Sequence, residues 1–355
     1  MMNKKKIALV ADVQNWAFDI AAKIMQNNLS DNFEIDIFYS KPNGIKRDFF
    51  DLLEELQDYD IIHFFWRGIL LNFEQEEFKQ KVIAKYGDYS KYLKKYTKKI
   101  STGIYDHLFE NDMNFNKTFT KYCSSYVVSS EKLFKIYNNM NYIKKPACVM
   151  GDTFEKKLFY PDNMERFNTV QNIDIPLIIG WVGNPEWNSI SKDANGNLID
   201  FKGFHTILNP VIHELKNNGY NIELVCANKS TNYISFDKMC KYYSNIHIYV
   251  CVSNKEGTPK PLLEAMGCAV PIITTDVGIV NEALGSKQKD YILGERIIGN
   301  NDTVIKNTLK DKIKCLYNNR HILSELSAEN YDISKHLEIA EVKKIYRKYF
   351  KDFSN

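Results

Sequence analysis

Two glutamates, Glu256 and Glu264, bracket a segment whose residue types suit a phosphate group or a sugar. The stretch 256–267 reads Glu-Gly-Thr-Pro-Lys-Pro-Leu-Leu-Glu-Ala-Met-Gly. Thr258 is a good helix N-cap, and Pro259 fits the first helical position, where its missing N–H costs nothing. Gly267 suits the helix end. The expected helix starts just after a loop that follows the apolar run 246–252. Free backbone N–H groups, including those near Gly257 and Lys260, and the positive end of the dipole then face whatever lies at the strand tip. A diphosphate or a polar sugar ring would suit that place. Glu256 precedes the helix and Glu264 lies nearly two turns inside it, so the pair cannot act as acid and base on one atom. They suit different parts of one extended ligand. The plain alternative is a helix with two solvated glutamates.

Upstream, the run 176–182 leads into Gly183-Asn184, and Lys202-Gly203 opens another helical stretch. A lysine at a helix start is disfavoured by the dipole unless an anion is nearby. The elements that must position these residues follow from periodicity. Short apolar runs at 6–11, 33–39, 61–65, 100–104, 126–129 and 147–150 alternate with helical patterns, which is the signature of parallel βαβ units. A second series has strands at 176–182, 221–227, 246–252 and 270–274, with helices at about 203–217, 235–243 and 259–267. Polar helices follow from 302 to 330, then an amphipathic segment at 336–350. The polar, aperiodic stretch 162–175 is the best linker candidate. The expected division is therefore 1–165, a linker at 166–175, a second domain at 176–332, and a terminal helix at 333–355 that packs back on the first domain. Two such doubly wound halves would face a ligand cleft at the carboxyl ends of their sheets.

The 355 residues suit two α/β domains better than one core. A hydrophobic content of 44% against 26% charged residues excludes a disordered chain. The net charge of +3 gives no basis for a nucleic-acid partner. No apolar run approaches the ~20 residues that span a bilayer. The first apolar stretch is too short for a signal peptide and carries Asp12. The seven cysteines lie singly with no CxxC pair, which suits a reducing, cytoplasmic setting.

The segment 256–267, the strand 270–274 and Thr275-Asp276-Val277-Gly278 together resemble the donor motif of family 4 of the retaining glycosyltransferases, also called group 1. That resemblance implies the GT-B fold: two Rossmann-like α/β domains. It implies that Glu256 approaches the transferred sugar, that Glu264 holds the ribose hydroxyls, and that Gly257, Thr258, Pro259 and Lys260 line the donor site. It also gives Gly183 and Asn184 to the donor-side turn and Lys202 to the diphosphate, for which a compact ammonium is a good partner. Many members carry an arginine just after the glycine of this strand. Here Gly180 is followed by Trp181, and Lys260 or Lys192 would have to compensate.

The first half resembles the acceptor domain of the same family more loosely. The run 59–63, Tyr-Asp-Ile-Ile-His, resembles the family's buried third strand, and 152–161 its closing segment with Thr153 in place of a glycine. Members often have a histidine at the tip of the strand 100–104. His107, with Asp106 before it, is the candidate to touch the donor sugar or the acceptor hydroxyl, against the alternative of a surface turn. The loop with Asp12, Asn15 and Trp16 lacks the family's glycines, so its acceptor side is shaped differently. Trp16 would stack on an acceptor ring or sit in the core. Asp58-Tyr59-Asp60 has metal-motif spacing, but a turn before a strand explains it, and no metal ligand set stands out. The stretch 79–99 interleaves eight lysines with four tyrosines; as one helix it would offer a basic face to anionic lipid, or a solvated surface.

The implied activity is retaining, metal-independent, cofactor-free transfer from a nucleoside diphosphate sugar to a glycan or lipid-linked acceptor, in surface polysaccharide or glycoconjugate synthesis. The setting would be cytoplasmic or peripheral at the inner face of the membrane. Rivals are a nucleotide-sugar epimerase of related fold and a catalytically weak, donor-binding subunit.

Overall fold

The structure, a computed structural model, describes residues 4–186, 196, 199–228 and 231–353. Lys192 lies outside them. The chain forms two compact units, one of residues Met1–Asp152 with Ile339–Asn355 and one of Thr153–Glu338.

The first unit has five parallel strands: β1 (Lys5–Ala11), β2 (Phe33–Tyr39), β3 (Ile61–Phe64), β4 (Ile100–Ile104) and β5 (Ser125–Val128). Their order is β2-β1-β3-β4-β5. Both faces are buried, and the two-residue strand period separates them. Ala8, Val10, Ile62 and Phe64 point into one apolar cluster, while Ile7, Leu9, Ile61 and Phe65 point into the other. The terminal helix Ile339–Asp352 belongs to this unit and buries Tyr346, Tyr349 and Phe350 on the second face. Its Tyr349 hydroxyl lies 2.6 Å from Ser101 Oγ, which in turn meets His63 Nδ1 at 2.8 Å. Burial pulls the His63 imidazole down to about 3, so it is neutral.

The second unit has four parallel strands: β6 (Leu177–Gly183), β7 (Ile222–Asn228), β8 (Ile248–Cys251) and β9 (Ile272–Thr274), in the order β7-β6-β8-β9. Helices Asn209–Asn217 and Asp302–Asn318 cover one face, and Met239–Tyr243 and Lys260–Gly267 the other.

Three sequence expectations change. The run 147–150 is not a strand of the sheet but a single bridge, Val128 to Val149. Pro146 ahead of it offers no N–H, and Gly151 ends the extended run. The stretch 162–175 is no free linker. Phe167 and Val170, three residues apart, are buried in the second unit's core around the short helix Arg166–Thr169. The buried Arg320 donates from Nη1 to the carbonyls of Val170, Asn172 and Ile175 at 2.7–2.9 Å. The division therefore falls after Asp152 and after Glu338 instead of at 165 and 333. Finally, 79–99 holds two helices, Glu76–Tyr86 and Tyr89–Thr97. Gly87, at φ 74°, closes the first and Asp88 caps the second by accepting from Lys91 N. Lys81 and Lys85 pair with Asp48 and Glu54, and Lys99 bonds the Gln57 and Tyr59 carbonyls. Among the described residues no helix is long and apolar enough to cross a membrane.

Candidate functional site

In the second sheet the chain leaves β6 toward β7 on one side and returns to β8 on the other. Such a switch point opens a crevice beyond the strands' carboxyl ends, where doubly wound sheets bind ligands. The segments after β6 and β8 meet there. They carry Lys202 and Glu256, which are paired through Lys202 Nζ and Glu256 Oε1. Ser253 Oγ donates to the same carboxylate oxygen at 3.0 Å. Burial alone would lower the Lys202 ammonium's pKa, but the Glu256 charge and hydrogen bond outweigh it and hold the lysine protonated. Their side chains stay 25% and 17% exposed, so the pair is within reach of a solute.

Backbone geometry explains why Lys202 is followed by glycine. Gly203 sits at φ 68°, and a Cβ there would strike the Val252 carbonyl at the end of β8. The buried Arg296 fastens this turn, donating to Asp200 O (2.7 Å), Val252 O (3.3 Å) and Thr206 Oγ1 (3.0 Å) and pairing with Asp302. Asp200 Oδ2 accepts from Thr206 N at 2.8 Å. Gly278, at φ 48°, lets its turn pack against the Glu256 and Gly257 backbone, where a Cβ would not fit. Thr275 Oγ1 donates to Ser253 O at 2.6 Å and ties the two loops together.

The helix begins one residue later than the sequence suggested. It spans Lys260–Gly267 with Pro259 at the cap position and Pro261 in its first turn. Thr258 therefore does not cap it, and its buried Oγ1 has no hydrogen-bond partner. An orphaned hydroxyl at a helix start, beside a lysine–glutamate pair, is a group that an incoming ligand would satisfy. Glu264 points elsewhere: its Oε2 accepts from the buried Tyr243 hydroxyl at 2.8 Å. Burial raises its pKa, with the Tyr243 bond and the Lys260 charge opposing. Glu256 and Glu264 thus have separate partners, as their spacing implied. Gly183 and Asn184 close β6, and Asn184 Oδ1 accepts from Glu186 N at 3.0 Å. Trp181 faces the core, 2% exposed, with its ring 4.6 Å from Phe204.

The first unit's candidates are placed by the tips of β1, β3 and β4. Asp106 is not free for proton transfer. Arg67 holds both its oxygens, at 2.9 and 2.8 Å, and Leu108 N donates to it at 2.8 Å. His107 is 7% exposed, so it is no surface turn residue. Its Nδ1 is engaged by Glu110, and its buried Nε2 has no partner. In the first loop Asn15 takes φ 61°, the left-handed conformation a glycine would otherwise supply. Its N–H is held by the buried Asp19 at 2.7 Å. Asp12 accepts from Val13 N at 2.8 Å, and Trp16 is half exposed, not a core residue. Asp60 accepts from Lys6 N at 2.9 Å, a long-range bond to the start of β1.

Sequence reading missed Ser253, Tyr243, Arg296 and Arg67. Ser253 follows a buried strand directly and had a local signal. The other three act through contacts far along the chain, for which none existed.

Residues 213–329 match the profile of the family described as glycosyl transferases group 1. The whole fold is GT-B. It superposes on sucrose-phosphate synthase from Thermosynechococcus elongatus with a TM-score of 0.63 at 14% identity, covering 98% of this chain and 100% of that one. HepE from Anabaena, solved in complex with UDP and glucose, gives 0.63 at 9% identity over the same shares. Among relatives by sequence, the protein CapJ of Staphylococcus aureus is 25% identical over 240 residues. That match covers 61% of this chain and 57% of CapJ, so the chain spans little over half of that relative's length. Residues 213–329 are thus similar to the group 1 glycosyl transferases, and the fold of the whole chain is similar to the GT-B structures.

Proposed function

We propose that the chain is a retaining glycosyltransferase of family 4 that moves a sugar from a nucleoside diphosphate sugar to a glycan or lipid-linked acceptor, without a metal ion. The observation that carries this reading is the Lys202–Glu256 pair at the β6–β8 switch point, beside the start of the helix Lys260–Gly267. A bound diphosphate would compete for the Lys202 ammonium and meet the N–H groups and Thr258 hydroxyl at the helix start. Glu256, released from Lys202, would then accept hydrogen bonds from the sugar and favour positive charge at the anomeric carbon. Glu264 would hold the ribose hydroxyls. Stabilising the departing diphosphate and orienting the acceptor are the main demands of such a transfer. In the first unit His107 keeps a buried, unpartnered Nε2, and Asp106 acts through Arg67 to shape the loop that carries it.

The context we assign is surface polysaccharide or glycoconjugate synthesis in the cytoplasm. Lys91, Lys94, Lys95 and Lys98 are exposed around the second of the two basic helices and are the lysines that would meet anionic lipid. A second reading, a donor-binding subunit with little turnover, draws on Trp181, which fills the core where many family members have a cation. One experiment separates them. The protein is screened against nucleotide sugars by thermal shift, starting with UDP-sugars, and the ligand found is incubated with acceptor glycans in excess EDTA. Acceptor-dependent release of nucleotide, with the anomeric configuration kept by NMR, supports the transferase. Binding without turnover supports the subunit, and turnover restored only by a divalent ion overturns the metal-free reading.

A further inference from the structure

The seven cysteines are scattered along the sequence, yet the fold brings two of them together. Cys240 lies in helix Met239–Tyr243, and Cys268 directly follows helix Lys260–Gly267. The Cys268 thiol donates to the Cys240 sulfur across 3.8 Å. Among the described residues no other pair of cysteines is joined in this way.

The two thiols are unequal. Cys240 is partly exposed, whereas Cys268 is fully buried. The hydrogen bond from Cys268 pulls the Cys240 thiol down to about 6, against the effect of burial. The same bond and burial push the Cys268 thiol up. The buried Arg166 guanidinium adds positive potential nearby, donating to the Cys268 carbonyl at 3.1 Å. An accessible thiolate beside a buried protonated thiol is the arrangement of an attacking and a resolving cysteine. A metal site is disfavoured, since no group of three or more His, Cys, Asp or Glu side chains gathers among the described residues.

We propose that Cys240 and Cys268 form an oxidation site for a hydroperoxide, with Cys240 attacking and Cys268 resolving. In the first step the Cys240 thiolate forms an S–O bond as the O–O bond breaks, and hydroxide leaves to take up a proton as water. In the second, the Cys268 sulfur attacks the Cys240 sulfenic acid. The S–S bond forms, the S–O bond breaks, and the hydroxyl departs with the thiol proton as a second water. Two thiols lose two electrons and two protons, and hydrogen peroxide becomes two waters. The sulfurs need to close from 3.8 Å to about 2.05 Å. The bond would join the two elements that hold Glu264. Tyr243, whose hydroxyl bonds its carboxylate, is three residues beyond Cys240, and the Glu264 carbonyl accepts from Cys268 N at 3.0 Å. This inference stands independently of the transferase reading.

The test treats the folded, full-length reduced protein with equimolar hydrogen peroxide, blocks the remaining thiols and maps the peptides by mass. The expected product is a Cys240–Cys268 cross-link with a loss of about 2 Da, formed before the other five cysteines react. Cys268→Ser, checked for folding by its thermal melt, should stop at a Cys240 sulfenic acid that dimedone traps. Cys240→Ser should leave Cys268 unreacted. Oxidation that reaches the exposed Cys315 first overturns the proposal. So does a wild-type Cys240 that passes to the sulfinic acid without linking to Cys268.

Discussion

The tips of the two sheets each carry a basic and an acidic side chain in contact, yet the pairs are built for different ends. In the first unit Arg67 is 1% exposed and grips Asp106 with two parallel hydrogen bonds. In the second, Lys202 and Glu256 meet through one oxygen, and the cation is partly exposed where Arg67 is not. A planar guanidinium locked in a fork is a fixture, since opening it strands a buried charge. A lysine is a point charge on a flexible stem that can exchange one anion for another at little cost. The first pair shapes a loop. The second pair, held on a flexible lysine stem, can open to another anion.

The largest effect should come from breaking the fixture. Asp106→Ala leaves the buried Arg67 without its partner and should cost on the order of 3–5 kcal/mol, read by urea unfolding. A loss near that of an exposed ion pair would erase the contrast. Next, Glu256→Gln should lower turnover by about 10²-fold or more. Affinity for the nucleoside diphosphate should stay within a few-fold or tighten, because Lys202 loses the carboxylate that would compete with the diphosphate. Near-normal turnover would remove Glu256 from the chemistry. Glu264→Ala should weaken nucleoside diphosphate binding by ~1.5–3 kcal/mol in calorimetry, and unchanged affinity in a folded protein would take Glu264 out of the site. Smallest of all, Asn15→Ala should cost about 1 kcal/mol in stability and Asn15→Gly almost nothing. Equal effects would mean that the left-handed backbone does not govern that loop.

Much of this was legible before any coordinates. The strands β1 to β9 follow from apolar runs of the right length, and the helix Lys260–Gly267 from its prolines and glycine. The errors have local causes. Thr258 is a good cap by residue type, but Pro259 and Pro261 shift the first turn by one residue. The stretch 162–175 looks polar because nine of its fourteen residues are polar, and of its five apolar residues only Phe167 and Val170 turn out to be fully buried. One lysine-rich pattern became two helices because Gly87-Asp88 pairs a terminator with a cap.

What the sequence determined by itself is whatever depends on neighbours within a few residues: strand runs, helix starts, and the separation of Glu256 from Glu264. Backbone sterics and side-chain periodicity are local, so a linear string records them. Only the tertiary structure decided which charges meet and how deeply. Lys202 finds Glu256 across 54 positions, Arg67 finds Asp106 across 39, and Cys240 finds Cys268 across 28. Whether such a pair is a fixture or a site depends on burial and on the partners left over, because the strength of a charge interaction is set by its surroundings. Those surroundings exist only once the chain has folded.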